Sequence, residues 1–274
     1  MILKELKIRN LGYIENFSRE FSDGLNVIGC REGEELSFAI RLLFNHKILI
    51  PPRILTSAET ELEAKMLVSD KTYRVVATFA GGQSPPAVFC YSIEGEDVTS
   101  EYLYLTRHPR EHDLSDVFEG EESGTFLRFL KYANEDLYYA PRELSMLTDG
   151  MSDLSAFRAY LRNYIASFKP ERIRAGKSYE IFLDKDGRYA VKCMIDGSKA
   201  KLMSESDKTL FRYLCFLRTA EFWRGFEELR NLHGIQKPLV VSQFLEKLDE
   251  SIDVDHLLER TKNLNRQVII LTEA

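Results

Sequence analysis

The sequence predicts a mixed α/β fold, with a β-rich first part that reads as antiparallel and an α/β last part, the two sharing one architecture if the chain's ends meet in a common sheet. Three observations carry this. The N-terminal part alternates apolar and polar side chains, the mark of strands with one buried face. The stretch Leu25 to Phe44 reads as a short strand, a glycine-containing turn and an amphipathic helix. Two late runs, Leu239 to Val241 and Val268 to Leu271, are apolar throughout, as strands buried on both faces are.

The bulk properties narrow the class. With 274 residues, 44% of them hydrophobic and 29% charged, the chain has the composition of a globular protein with a sizeable core. The net charge of −6 gives no whole-chain basic signature for nucleic acid. Cys30, Cys90, Cys193 and Cys215 are far apart and form no CxxC pair, so reduced and mostly buried thiols in a cytoplasmic protein are expected. Met1 leads straight into an amphipathic strand, so no signal peptide is expected. No apolar run approaches membrane-spanning length, and no membrane partner is expected.

In chain order, Ile2 to Arg9 and Ile14 to Phe21 read as strands, and Ser22-Asp23-Gly24 turns the chain into Leu25 to Ile28. Leu36, Ala39, Ile40, Leu43 and Phe44 share a helical stripe before Pro51-Pro52. Leu62 to Val68 and Thr72 to Phe79 form a hairpin across Ser69-Asp70-Lys71, and Ala87 to Ile93 continues the layer to a turn at Glu94-Gly95-Glu96-Asp97. Thr106 to Gly124 is polar and expected to be irregular. Thr125 to Tyr132 suits a short helix, Leu137 to Ala140 a strand, and Leu154 to Phe168 a stronger helix. Tyr179 to Leu183 and Tyr189 to Ile195 are strands joined by an Asp-Lys-Asp-Gly turn. Ser206 to Phe226 is the best helix pattern in the chain, and Asp253 to Leu264 is another. One domain, 1–274, is expected to comprise a β-rich lobe (1–105), a helical insert (106–178) and an α/β lobe (179–274), with no coiled coil.

The turn after Leu25 to Ile28 has the layout of a phosphate-binding P-loop without its chemistry. That motif wants Gly, four residues, then Gly-Lys and Ser or Thr. The nucleotide-binding positions would be Gly29, Cys30, Arg31, Glu32, Gly33, Glu34, Glu35 and Leu36. Setting Gly29 at the first glycine puts Glu34 at the second, Glu35 at the lysine and Leu36 at the hydroxyl. Glu34 and Glu35 suit the first turn of a helix, where free N–H groups and the helix dipole favour negative charge. They take the place and the sign that a nucleotide phosphate needs. A plain strand-turn-helix unit fits this stretch equally well.

Other signals are weaker. His108-Pro-Arg-Glu-His112 spells a zinc-peptidase pattern, but Pro109 and polar flanks point to a surface loop, and no metal is expected. His233 and His256 are single and suit surface or cap positions. Trp223, with Phe222 and Phe226, suits core packing. Arg158, Arg162, Lys169, Arg172, Arg174 and Lys177 make a local basic stretch, either a solvated face or a DNA-backbone contact.

Order and spacing across nearly the whole chain resemble the ABC-type ATPase heads of the SMC, RecF and RecN group, a branch of the P-loop NTPases. The opening strand pair is similar, as is Phe21-Ser-Asp-Gly-Leu-Asn-Val-Ile-Gly29, which in the family leads into the P-loop. Lys201 to Lys208 resembles the signature motif, with Met203, Ser204, Glu205, Ser206 and Asp207 at its positions; Glu205 and Ser206 replace the glycines. Pro238-Leu-Val-Val-Ser-Gln243 resembles the Walker B strand, with Ser242 and Gln243 where the family has Asp-Glu. Leu248 and Asp249 fall at the D-loop. Gln267 to Thr272 resembles the last strand, and Glu273 stands where the family has its switch histidine. Ala140-Pro141-Arg142-Glu143-Leu144 is the candidate for the Q-loop.

The resemblance implies an ABC-head-like fold: a P-loop NTPase core with an antiparallel β layer and a helical lobe. In that family one site is built from the P-loop and Walker B of one head and the signature of another, and phosphoryl transfer rests on positioning and charge stabilisation. With those residues replaced, the resemblance implies a catalytically degenerate head, a structural or regulatory assembly subunit in DNA repair or chromosome maintenance. No catalytic residue is assigned and no cofactor is expected. The alternative is a divergent ATPase that uses Mg-ATP, with Asp249 and Glu250 as its acid pair. The implied partners are a second copy, an active ABC-type ATPase or an SMC-like protein, with DNA as a further candidate.

Overall fold

In the computed structural model, the described residues are 1–44, 54, 59–68, 70–79, 87–107, 117–118, 151–167, 204–229, 238–242 and 244–273, with short strands between 171 and 199. They cluster in two compact units. The first comprises residues 1–117, 235–243 and 265–274, and the second 118–234 and 244–264.

The first unit holds two sheets. Strands β1 (Ile2–Leu11), β2 (Ile14–Glu20), β4 (Thr60–Val68), β5 (Lys71–Phe79) and β6 (Ala87–Ser92) form an antiparallel sheet in the order β2-β1-β4-β5-β6. The alternation seen in the sequence fixes its faces. Leu6, Ile8, Leu62, Ala64, Val75 and Ala77 point into the core. The outer face carries ion pairs, Glu5 with Lys65 at 2.6 Å and with Lys7 at 2.9 Å, and Arg74 with Glu63 at 2.9 Å. Those hydrogen bonds, Lys65 first, hold the Glu5 carboxyl below its usual range.

The second sheet runs β3-β15-β14-β7, with β3 at Leu25–Gly29, β15 at Val268–Thr272, β14 at Leu239–Ser242 and β7 at Val117–Phe118. The pairs β3–β15 and β15–β14 are both parallel, with Leu25, Val268 and Leu239 in line and Ile28, Leu271 and Ser242 in line. The expected meeting of the chain's two ends in one sheet is therefore observed.

Helix α1 (Gly33–Phe44) packs on β14 and β15, and its Phe38 ring meets the edge of Phe79 on β5 at 6.4 Å. Leu36, Ala39, Ile40, Leu42 and Leu43 are all buried, because a helix lying between two sheets must be apolar on more than one face. The Tyr102 hydroxyl donates to the Leu43 carbonyl at the helix C-terminus, and its burial raises its pKa. Cys90 is a buried free thiol whose pKa burial pushes up to about 12, and Cys30 is half-buried and in no disulfide.

The second unit contains α3 (Met151–Ala166), α4 (Glu205–Leu229) and α5 (Val254–Lys262). Leu210, Tyr213, Leu214, Phe216 and Leu217 of α4 are buried. Tyr213 stacks on Phe244 with centroids 3.8 Å apart, and its hydroxyl meets Thr261 Oγ1 at 2.7 Å. Tyr164 of α3, Glu221 of α4 and Arg260 of α5 form a second polar link: the Tyr164 hydroxyl lies 3.0 Å from Glu221 Oε2, and Arg260 Nε donates to Glu221 Oε1 at 2.9 Å.

Several expectations are corrected. Residues 99–107 form a helix, α2 (Thr99–Arg107), so the irregular stretch does not begin at Thr106, and β7 interrupts it. Asp97 starts this helix by accepting from the Thr99 N–H at 2.9 Å, a side-chain turn too local to show in the apolar pattern. The strand expected from Tyr179 to Leu183 is two, β9 (Lys177–Tyr179) and β10 (Ile181–Leu183). The strand from Tyr189 to Ile195 also divides, into β11 (Tyr189–Val191), paired with β10, and β12 (Met194–Ile195). Strand β12 pairs antiparallel with β13 (Ser198–Lys199). Thr125 to Tyr132, Leu137 to Ala140, and His108 to His112 lie outside the described residues.

Gln267, just before β15, is buried and binds two parts of the first unit at once. Its Oε1 accepts from the Leu3 N–H at 2.7 Å, and its Nε2 donates to the Leu3 carbonyl at 2.7 Å and the Ser22 carbonyl at 2.8 Å. Leucine would leave these main-chain groups without their amide partner at a cost of about 1–3 kcal/mol each. Gln267→Leu is therefore expected to destabilise the chain by about 3 kcal/mol, read as a lower urea midpoint with an unchanged m-value.

Candidate functional site

The parallel register brings Gly29, Thr272 and Ser242 to the carboxyl end of the second sheet, the end at which open α/β sheets hold ligands. Pairing continues one residue past β3, where the Cys30 N–H donates to the Thr272 carbonyl at 2.9 Å. Only Cys30, Arg31 and Glu32 then separate β3 from α1. The Glu32 carbonyl accepts from the Leu36 N–H at 3.0 Å, which makes Glu32 the residue that opens the helix. A side chain at Gly33 would meet only Cys30 Sγ, at 4.0 Å.

The first turn of α1 separates its two acids. Glu34 is exposed, whereas Glu35 is 8% exposed and folds across the β1–β2 turn at Gly12. Gly12 has φ +57°, and a methyl there would lie 2.6 Å from Glu35 Cγ and 2.8 Å from its Oε1. The Gly12 N–H is itself tied to the Ile54 carbonyl at 3.0 Å. Leu36 is fully buried in the core, so the residue aligned with the P-loop hydroxyl turns away from the loop. Ser37 is 3% exposed and its hydroxyl has no hydrogen-bond partner.

Ser242 ends β14 and is buried, and Glu273 follows β15 and is exposed. Gln243 lies outside the described residues, as do residues 140–144. Among the described residues, no group of three or more His, Cys, Asp or Glu could hold a metal ion.

The second unit carries the other motif positions. Ser204 caps α4, its Oγ accepting from the Asp207 N–H at 3.0 Å. Glu205 is exposed and reaches Lys208 at 3.2 Å and Arg212 at 3.9 Å. Ser206 is buried, and its Oγ accepts from the Asp249 N–H at 2.9 Å. The signature-like and D-loop-like segments are thus in contact. Asp249 Oδ1 in turn accepts from the Ser251 N–H at 3.0 Å and fixes that turn, and Leu248 closes the short helical turn Leu245–Lys247. Met203 lies outside the described residues.

The basic stretch is divided among elements: Arg158 and an exposed Arg162 on α3, Arg172 and Arg174 on β8 (Glu171–Arg174), and Lys177 on β9. Lys169 lies outside the described residues.

Sequence reasoning missed the contact between Gly12 and Glu35. The signal available was the glycine in Leu11-Gly12-Tyr13-Ile14, between two apolar strand ends, which marks a turn but not what lies against it.

No protein-family model and no curated protein matches this chain. Solved structures do. An SMC head bound to the C-winged helix domain of ScpA matches at 12% identity, covering 100% of this chain and 90% of that one, with a TM-score of 0.58. The Smc head with an extended coiled coil bound to the C-terminal domain of ScpA, from Pyrococcus furiosus, matches at 13% identity over 100% and 90%, TM-score 0.52. RecF with ATP, the recombination mediator of the RecFOR pathway, matches at 13% over 99% and 93%, TM-score 0.51.

The steric contact gives a test. Gly12→Ala combines a left-handed backbone with the clash on Glu35, and is expected to cost about 2–4 kcal/mol in urea unfolding. Adding Glu35→Ala should relieve the clash and leave the conformational part, about 1–2 kcal/mol. Additive losses from the two changes would show that Glu35 does not pack on Gly12. With that geometry, and with those matches, the chain has the mixed α/β fold of SMC and RecF ATPase heads, and no coiled coil is evident among the described residues.

Proposed function

We propose that this chain is a catalytically degenerate ABC-type head, an assembly subunit working in DNA repair or chromosome maintenance through contacts with a second copy, an active ABC-type ATPase or an SMC-like protein. The observation that carries this is the placement of Glu35 and Leu36. A P-loop aims a lysine and a hydroxyl at the phosphates and magnesium. Here a carboxylate is folded over Gly12 and a leucine is in the core. Ser242 at the end of β14 supplies neither a magnesium carboxylate nor a general base. The helix N-termini at the P-loop-like and signature-like positions carry Glu34, Glu35, Glu205 and Asp207, which disfavour phosphate by charge. The fold shared with an SMC head bound to ScpA and with RecF supports the assembly role.

Isothermal titration and turnover assays with Mg-ATP test the proposal. Wild type is expected to show no saturable binding up to about 1 mM, where RT ln Kd is only about −4 kcal/mol. Glu35→Lys is expected to improve triphosphate affinity by about tenfold or more without turnover, because a cation replaces an anion at the helix N-terminus. Steady hydrolysis by wild type would overturn the reading. Hydrolysis in Glu35→Lys alone would place the missing acid elsewhere, with Asp249 and Glu250 first to be changed.

A further inference from the structure

The sheet edges of the first unit are protected unequally. Strand β2 carries Glu15, Arg19 and Glu20, charges that discourage pairing. Strand β6 is covered by its own chain: the Cys90 N–H donates to Thr99 Oγ1 at 2.8 Å and the Val98 N–H to the Cys90 carbonyl at 2.9 Å. Strand β7 is only Val117–Phe118, and so is protected by its shortness. Strand β3, Leu-Asn-Val-Ile-Gly, has no charge and no proline, and among the described residues it pairs only with β15.

Its free side is defined by its paired side. The Val268 N–H donates to the Gly24 carbonyl and the Cys30 N–H to the Thr272 carbonyl, so the even-numbered residues of β3 bond to β15. The main-chain groups of Leu25, Val27 and Gly29 therefore face outward; the Leu25 carbonyl accepts a long hydrogen bond from Ser22 Oγ at 3.4 Å and keeps a second lone pair. Val27 is 40% exposed and Gly29 is exposed.

We propose that this edge pairs with the β3 edge of a second copy, antiparallel about a two-fold axis through Val27. Three features of the strand fit that occupant. In the register centred on Val27, all of Leu25 to Gly29 is paired: Val27 faces Val27, and Leu25 faces Gly29, with each outward residue exchanging both main-chain hydrogen bonds. The apolar Val27 side chains then cover one another across the axis. Just beyond the strand, Asp23 of one copy lies opposite Arg31 of the other, at both ends by symmetry. Both are exposed; among the described residues Asp23 is ion-paired with Lys4 alone, so an arginine can join it. A strand read in the same register against a parallel copy would set Asp23 against Asp23 and Arg31 against Arg31. An antiparallel strand added to a parallel sheet makes a mixed sheet, a common arrangement.

The test is sedimentation equilibrium of the full chain across a concentration series. Wild type is expected to show a reversible monomer–dimer equilibrium. Val27→Lys, which sets two ammonium groups face to face on the axis, should weaken dimerisation by at least about tenfold. Asp23→Lys and Arg31→Glu, both at exposed turn positions that spare the core, should each weaken it several-fold, and the two together should restore it by rebuilding the opposite-charge pairs. The charge exchange keeps the test decisive should Val27→Lys perturb folding, which circular dichroism would show. A chain that stays monomeric up to about 100 μM, a Kd limit near −5.5 kcal/mol, would overturn the proposal. So would a dimer that neither Val27→Lys nor the charge exchange alters; that dimer would use another surface and would leave the assembly role untouched.

Discussion

The amide of Gln267 is the constraint on which the first unit depends. It is buried, and its donors and acceptor are all used: Leu3 N–H and carbonyl on β1, and the Ser22 carbonyl in the turn before β3. The Gln267 carbonyl also accepts from the Leu239 N–H, at the start of β14. One residue thus ties the antiparallel sheet, the entry to β3 and the entry to β14. Parallel strands need long crossovers, so their ends must be brought together by tertiary contacts. A residue with both a donor and an acceptor at its tip can do this where a hydrophobic side chain would leave main-chain groups bare.

The consequence reaches the candidate site. With the strand starts aligned by Gln267, the register carries Gly29, Thr272 and Ser242 to one end without further specification. The register itself asks little of the side chains beyond apolarity, since Val240, Ile269, Ile270 and Leu271 are simply buried. Binding a triphosphate would ask much more, namely a cation, a hydroxyl and a carboxylate at fixed places. Fold and chemistry are therefore separable: the register of these strands forms without reference to the residues a triphosphate would need.

The parts of the fold legible in the sequence were those set by periodicity over several residues. Strands β1, β4 and β5 alternate cleanly, and β14 and β15 are short apolar runs, so all five were expected at nearly the observed bounds. Helix α2 was not legible, because its start depends on a single local bond, the Asp97 side chain accepting from the Thr99 N–H. The site was legible as a layout but not as geometry. Sequence spacing placed Glu34 and Glu35 together in the first turn of a helix. Only the structure separates them, one in solvent and one pressed on Gly12, because which of two adjacent helical residues is buried depends on what the helix packs against.

That separation changes the electrostatic argument. A carboxylate in solvent screens and moves; one held by packing acts as a fixed charge at the helix N-terminus. Glu35 is held because Gly12 has no side chain and its backbone is left-handed, a conformation that excludes most residues there. The glycine that lets the β1–β2 turn form is thus the same residue that makes room for the acid. At the start of α4 the acids are placed differently. Ser204 satisfies the Asp207 N–H, and Ser206 is occupied by the Asp249 N–H, so that end is closed by hydrogen bonding within its own unit. The two helix starts therefore differ: at α1 an acid is held by packing on Gly12, and at α4 a main-chain N–H is capped by Ser204. A change at position 35 acts on packing against Gly12, whereas a change at Ser204 or Ser206 acts on a hydrogen-bonded turn.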